Sequence, residues 1–253
     1  MKIVVAIKQV PARDSLLKVD ASGTWIDDTD LSWEINEPDA YALEAAFQLR
    51  EGSGGEVVVL CSGPDRATQT IREALAKGAD RAIHIEFSEN AADPLGLARN
   101  MASALASETP DVILTGLQSD DLGYGQTGVI LAEVMGFAHA TLVMSIETTP
   151  GGIRVKRELE DGWFQHVEMP LPALLTIQSG AAKLRYATLM GIKKAKSKEI
   201  KRIEPVANAT APSLRLERIY LPQKSKRSQI FEGTPQEAAA QLVDKLRFEA
   251  RVL

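Results

Sequence analysis

The sequence predicts an α/β fold: an open, mainly parallel, doubly wound sheet with an added β-hairpin and a C-terminal arm. Three observations lead there. Short β-rich runs alternate with amphipathic helical runs over the first two-thirds of the chain. Four of those β-rich runs are almost continuously apolar, as expected where helices cover both faces of a sheet. Near residue 150 the pattern changes to strict polar–apolar alternation, the mark of a strand with one face in water.

Taken in order, strands are predicted over 2–8, 56–61, 81–85, 111–116 and 141–147, with helices near 39–50, 65–77, 94–107 and 126–135 between them. In the second helix Ala67, Ile71, Ala74 and Leu75 fall at i, i+4, i+7 and i+8, which puts them on one face, and Gly78 supplies the stop. This alternation implies right-handed βαβ crossovers and a parallel sheet. After the Pro150-Gly151-Gly152 turn, residues 153–159 alternate, Asp161-Gly162 makes a hairpin turn into 163–167, and 172–177 returns to an apolar strand. A basic stretch covers 183–202, a linker is expected over 206–213, and a final helix over 234–251 opens on Thr234-Pro235.

Composition narrows the function. The chain has 253 residues, of which 45% are hydrophobic and 25% charged, ordinary for a globular protein. A net charge of -5 argues against general nucleic-acid binding. The single cysteine, Cys61, rules out an internal disulfide or a multi-cysteine metal site, and its apolar run predicts a buried strand thiol. The opening apolar run is too short for a signal peptide, and no stretch reaches the length of a membrane span, so a cytoplasmic bacterial protein is expected.

A ligand of such a sheet is expected beyond the strand C-termini at the topological switch point, between the first and fourth predicted strands. The loop after the fourth runs through Ser119, Asp120, Asp121, Leu122, Gly123, Tyr124, Gly125, Gln126, Thr127 and Gly128 into a helix. Glycines permit close backbone approach, and a helix N-terminus suits an anion such as phosphate. From chemistry alone the same loop reads equally as a polar turn and a capped helix. Neither a P-loop nor a first-strand G-x-G-x-x-G is present, which leaves P-loop hydrolysis and Rossmann NAD binding unsupported. Asp120 and Asp121 suit turns and backbone acceptors better than a metal. The Asn36-Glu37-Pro38-Asp39 loop precedes a helix, and Asp39 reads as its cap. Ser62 follows the second strand and can hydrogen-bond a ligand. His84, His139 and His166 are scattered, and no nucleophile–base set stands out; the chain reads as a binder.

The loops in this order resemble the electron-transfer flavoprotein beta subunits. The likeness rests on Val4-Val5-Ala6-Ile7-Lys8-Gln9-Val10-Pro11, the 36–39 loop, Ser62-Gly63-Pro64, residues 74–82, and Gln126-Thr127-Gly128. It continues through residues 157–162 and 171–176 to Arg185-Tyr186-Ala187-Thr188-Leu189. It covers about residues 1–202. The resemblance implies an adenine nucleotide alpha hydrolase-like fold and a heterodimer whose alpha subunit holds most of the FAD. This chain would be a non-enzymatic electron-carrier subunit binding AMP structurally. The contacts carried over are Ala6, Asn36, Glu37, Pro38, Asp39, Ser62 and residues 119–128. Glu158 falls at an acidic position that meets the alpha subunit near the flavin. Leu189, with Ile192, Lys193, Lys194 and Lys196, falls in the family's docking loop, so 1–182 is expected as the nucleotide domain, 183–202 as a recognition loop, and 203–253 as an arm packing on the alpha subunit. The implied partners are a flavin-dependent dehydrogenase of acyl-CoA or amine type and a membrane quinone reductase. Leu122-Gly123-Tyr124-Gly125 departs from the common loop and is similar to the subgroup linked to methylotroph amine dehydrogenases. Two other readings stay open: a bifurcating relative with a second FAD, and a stand-alone nucleotide-binding regulator of the universal-stress type.

Overall fold

The first apolar run forms β1 (Lys2–Ile7), and the chain then makes a short antiparallel pair, β2 (Gln9–Pro11) with β3 (Trp33–Ile35). Next come α1 (Glu37–Ser53), β4 (Glu56–Gly63), α2 (Thr68–Lys77), β5 (Arg81–Glu86), α3 (Pro94–Leu105), β6 (Val112–Gly116) and α4 (Thr127–Met135). The long β7 (Ala138–Thr149) is followed by β8 (Gly152–Glu158), β9 (Phe164–Met169) and β10 (Ala173–Ile177). α5 (Leu189–Ala195) and β11 (Ile200–Ile203) close this part, and α6 (Pro235–Asp244) lies near the C-terminus. This computed structural model describes residues 1–87, 93–206, 214, 216–222 and 228–253, which divide into two units, Met1–Arg218 and Ile219–Leu253.

Nine strands of the first unit form one sheet in the order β11-β5-β4-β1-β6-β10-β7-β8-β9. Pairing is parallel from β11 to β7 and antiparallel across β7, β8 and β9. The continuous apolar runs are explained by the two covered faces. Ile3, Val5 and Ile7 pack with Ala42 and Phe47 of α1 and Ile71 and Leu75 of α2 on one side. Val4 and Ala6 pack with Ala98 and Met101 of α3 and Leu131 of α4 on the other. At the β8–β9 turn, Asp161 (φ 56°) and Gly162 (φ 77°) both take the left-handed conformation that a tight hairpin needs.

The structure departs from the sequence reading in three places. The 183–202 stretch, expected as a loop, contains α5 and β11, and β11 extends the parallel sheet beside β5. Its lysines masked a short edge strand, where charged residues are common. The β2–β3 pair was not anticipated, because three-residue strands carry no readable period. The final helix ends at Asp244, and Lys245–Glu249 continue as a π turn. The linker expected over 206–213 lies, past Val206, outside the described residues.

The second unit is different in kind. α6 starts with a capping box, in which Thr234 Oγ1 accepts from the Glu237 amide and Glu237 Oε2 accepts from the Thr234 amide. Yet no described residue of this unit is buried, and Ile230, Leu242, Val243 and Phe248 are exposed. Among the described residues, no helix is long and apolar enough to cross a membrane.

Candidate functional site

β1 sits between β4 and β6, and the crossover from β1 to β4 and the strand β6 lie on opposite sides of it, so the switch point falls at the C-terminal ends of β1 and β6. Asp39 occupies that point. Its two carboxylate oxygens accept from the amides of Lys8 and Gly116, each at 2.8 Å, tying together the strand ends that part there. Asp39 was expected to cap α1; it instead clamps two strands, because its buried position in the first turn faces the sheet. Burial pushes its pKa up to about 7, against the lowering pull of the Lys8 and Gly116 amides, Asn36 and the Lys8 charge. Gly116 is required here: a Cβ would lie 2.5 Å from Asp39 Oδ1 and 2.6 Å from Pro38 Cβ.

The loop from β6 to α4 is stitched to the α1 entry. Asn36 donates to Gln118 O (3.0 Å) and accepts from the Asp120 amide (2.8 Å). Asp120 Oδ2 accepts from the Glu37 amide (3.2 Å), which satisfies an otherwise free donor in the first turn of α1. Arg13 pairs with Glu37 and reaches Asp120 at 3.8 Å. Asp121 binds Lys8 Nζ at 2.6 Å; burial alone would raise its pKa, but Lys8, Ser119 and the Leu122 amide together hold it low. Both aspartates therefore serve the loop, as capping acceptor and as ion-pair partner. Gly128 lets α4 start against the sheet, since a Cβ would meet Thr115 Oγ1 at 2.7 Å and Thr176 Cγ2 at 2.8 Å.

These loops enclose a cleft that is open to solvent at its mouth. Of the residues singled out in the sequence, Ala6, Asn36, Asp39, Ser62, Ser119, Leu122, Tyr124, Gly125, Gln126, Thr127 and Gly128 line it. Glu37, Pro38, Asp120, Asp121 and Gly123 do not; they stand behind the wall and brace it. The first turn of α4 opens on the cleft, and the leading amides of a helix lack intrahelical acceptors. Ser62 lines the cleft, and its Oγ is buried with no hydrogen-bond partner among the described residues. Glycine-lined walls, helix amides and this hydroxyl fit a phosphate-bearing nucleoside.

The sequence reading missed the opposite wall. Phe87, Asp93, Pro94, Leu97 and Met101 come from the end of β5 and the start of α3, and Trp25 from the excursion between β2 and β3. The end of β5 could have been found from topology, because it lies on the same edge of the sheet as the switch point. Trp25 carries no local signal. Away from the cleft, Glu158 ends β8 and accepts from Gln178 Nε2 at 3.0 Å. Leu189, 82% exposed, stands with exposed Tyr186, Met190 and Ile192 beside Lys193, Lys194 and Lys196.

Comparison with known proteins bears on this geometry. The electron transfer flavoprotein domain matches residues 23–208. The electron transfer flavoprotein subunit beta of Methylophilus methylotrophus is 36% identical, with 96% of this chain and 97% of the relative covered. The beta subunit of Bradyrhizobium diazoefficiens is 34% identical, and the mitochondrial one of Oryza sativa subsp. japonica 32%, each over 100% of both chains. With most of the chain matched to one domain and full-length relatives above 30% identity, the chain belongs to the electron transfer flavoprotein family, as a beta subunit.

Proposed function

We propose that this subunit binds AMP as a structural ligand in the switch-point cleft and presents a docking surface to electron donors, in a heterodimer whose alpha subunit holds most of the FAD. The observation that carries the nucleotide reading is the N-terminus of α4 opening on a cleft that Ser62, whose buried hydroxyl has no partner among the described residues, helps to line. A phosphate at the α4 amides, with the nucleoside running toward Ser62, satisfies both. Among the described residues the cleft offers no evident nucleophile–base pair, which suits binding without turnover.

FAD supplies the redox chemistry when bound. The part of this chain is to support and orient: Glu158 at the end of β8 meets the alpha subunit near the flavin, and the apolar face of α6 packs on that subunit. Leu189 and Ile192, with Lys193, Lys194 and Lys196 around them, dock a flavin-dependent dehydrogenase of acyl-CoA or amine type. An apolar anchor ringed by cations gives specificity and a fast on-rate without a permanent complex. Electrons then leave for a membrane quinone reductase. Acid extraction of the purified alpha–beta complex tests the nucleotide reading. One AMP and one FAD per heterodimer is the expected result; two FAD would mark a bifurcating relative, and no nucleotide would overturn the reading.

A further inference from the structure

α5 has seven residues, too few to persist as a helix without outside support. It also turns its larger apolar residues outward. Leu189, Met190 and Ile192 are exposed, while Gly191 and Ala195, four apart, face the protein. Gly191 lies against Ala76 O of α2, where a Cβ would come within 2.3 Å, and Ala195 is buried. Burial of one methyl group is little to hold a helix in place.

What holds it is a reciprocal exchange of cations between two helix C-termini. Arg72, on α2, donates through Nη1 to Ala195 O (2.6 Å) and Lys198 O (2.7 Å), at the end of α5. Lys198, just beyond α5, reaches back to Leu75 O (3.1 Å) and Ala79 O at the end of α2. Each helix thus has terminal carbonyls bound, and its negative dipole end met, by the other's cation. Lys198 keeps this position although burial lowers its pKa, with Arg50 and Lys194 adding to the effect and Asp80 opposing it. The approach to α5 is fixed as well: Arg185 grips the buried Glu44 through Nε (2.8 Å) and Nη2 (2.9 Å) and reaches Glu51 at 3.0 Å.

We infer that Arg72 and Lys198 are positioning residues for electron-donor docking, holding α5 in one pose on the end of α2 so that Leu189 meets its partner preformed. The inference rests on the docking reading above. Preorganisation of this kind lowers the ordering cost of association and acts on affinity, leaving the electron-transfer step itself alone.

The test uses the intact alpha–beta complex. Its flavin reduction is followed by stopped flow against whichever of two purified donors, an acyl-CoA dehydrogenase or an amine dehydrogenase, reduces the wild type. For Arg72→Gln and Lys198→Met we expect the half-saturating donor concentration to rise about 10-fold. The limiting rate should stay within about 2-fold, and AMP and FAD content should not change. Amide exchange over 191–198 should accelerate about 10-fold, and Arg72→Lys should recover part of both effects. Leu189→Ala is run in parallel. If it raises half-saturation while Arg72→Gln and Lys198→Met leave both half-saturation and exchange at wild-type values, the positioning role is wrong and the docking reading stands. If Leu189→Ala changes nothing, the docking reading fails and takes the positioning role with it.

Discussion

The two units of this chain treat their apolar residues in opposite ways. In Met1–Arg218, Ile3, Val4, Val5, Leu60 and Leu114 are wholly buried between paired layers of helices. In Ile219–Leu253, Leu242, Val243 and Phe248 sit exposed on or just after a well-capped helix, Phe248 being 71% exposed. The first unit carries its own core. The second has local order, through the Thr234–Glu237 capping box, and no core to go with it. Capping directs a helix, but most helical stability in proteins comes from burial of an amphipathic face. The second unit thus reads as one half of an interface, and the first as a finished domain.

The largest effect is expected from cutting the two apart. Removing Ile219–Leu253 should leave the melting temperature of the remaining chain within about 3 °C, since none of the described residues lost is buried. Affinity for the alpha subunit should fall by roughly 1,000-fold, about 4 kcal/mol, measured by sedimentation. A large drop in melting temperature would break the comparison by showing that the arm belongs to the first core.

Next comes the pH response of Asp39. Its folded pKa, about 7, lies above the ordinary carboxylate value of 3.8. Its contribution to stability is therefore full below about pH 4 and is lost as pH rises through 7. Denaturant melts between pH 4 and 8 should show this downward slope in the wild type and lose it in Asp39→Asn. Equal slopes in the two proteins would mean that Asp39 is ionised throughout.

Gly116→Ala sharpens the picture of a finished domain. A methyl group 2.5 Å from Asp39 Oδ1, with backbone at 2.8 Å, has nowhere to go. The expected destabilisation is about 2–3 kcal/mol, read from urea unfolding.

The smallest effect is the most selective. Ser62→Ala should leave the stability of the empty chain within about 0.5 kcal/mol, since the hydroxyl has no partner among the described residues. It should weaken AMP binding by roughly 5–10-fold, about 1 kcal/mol, by calorimetry. Unchanged affinity would remove Ser62 from the site.

The same contrast explains how much was legible in the sequence. Six of the seven parallel strands and four helices were readable, chiefly because two covered faces impose apolar runs and a helical face imposes the 3.6 period. Switch-point geometry then located one wall of the cleft from Ser62 and Gln126 to Gly128, and the family resemblance added Ala6. Hidden from that reasoning were features set by long-range contacts. Asp39 looked like a helix cap because its sequence neighbourhood says so, and only the packing of α1 brings it to Lys8 and Gly116. α5 and β11 were unreadable since both are short and carry basic residues, and their support comes from far in the sequence, α5 from Arg72 and β11 from β5. Trp25 reaches the cleft from an excursion with no period at all.

The double hold of Asn36 has a further consequence for how this site can vary. By gripping the carbonyl of Gln118 and the amide of Asp120, it anchors the loop before the Leu122–Gly125 segment begins, and α4 anchors it afterwards. The four residues between are a replaceable insert on a fixed frame. Exchanging them for the loops of other beta subunits should alter what the cleft accepts without endangering the domain. That makes the segment a natural place for ligand preference to diverge among relatives, and a convenient graft site for engineering it.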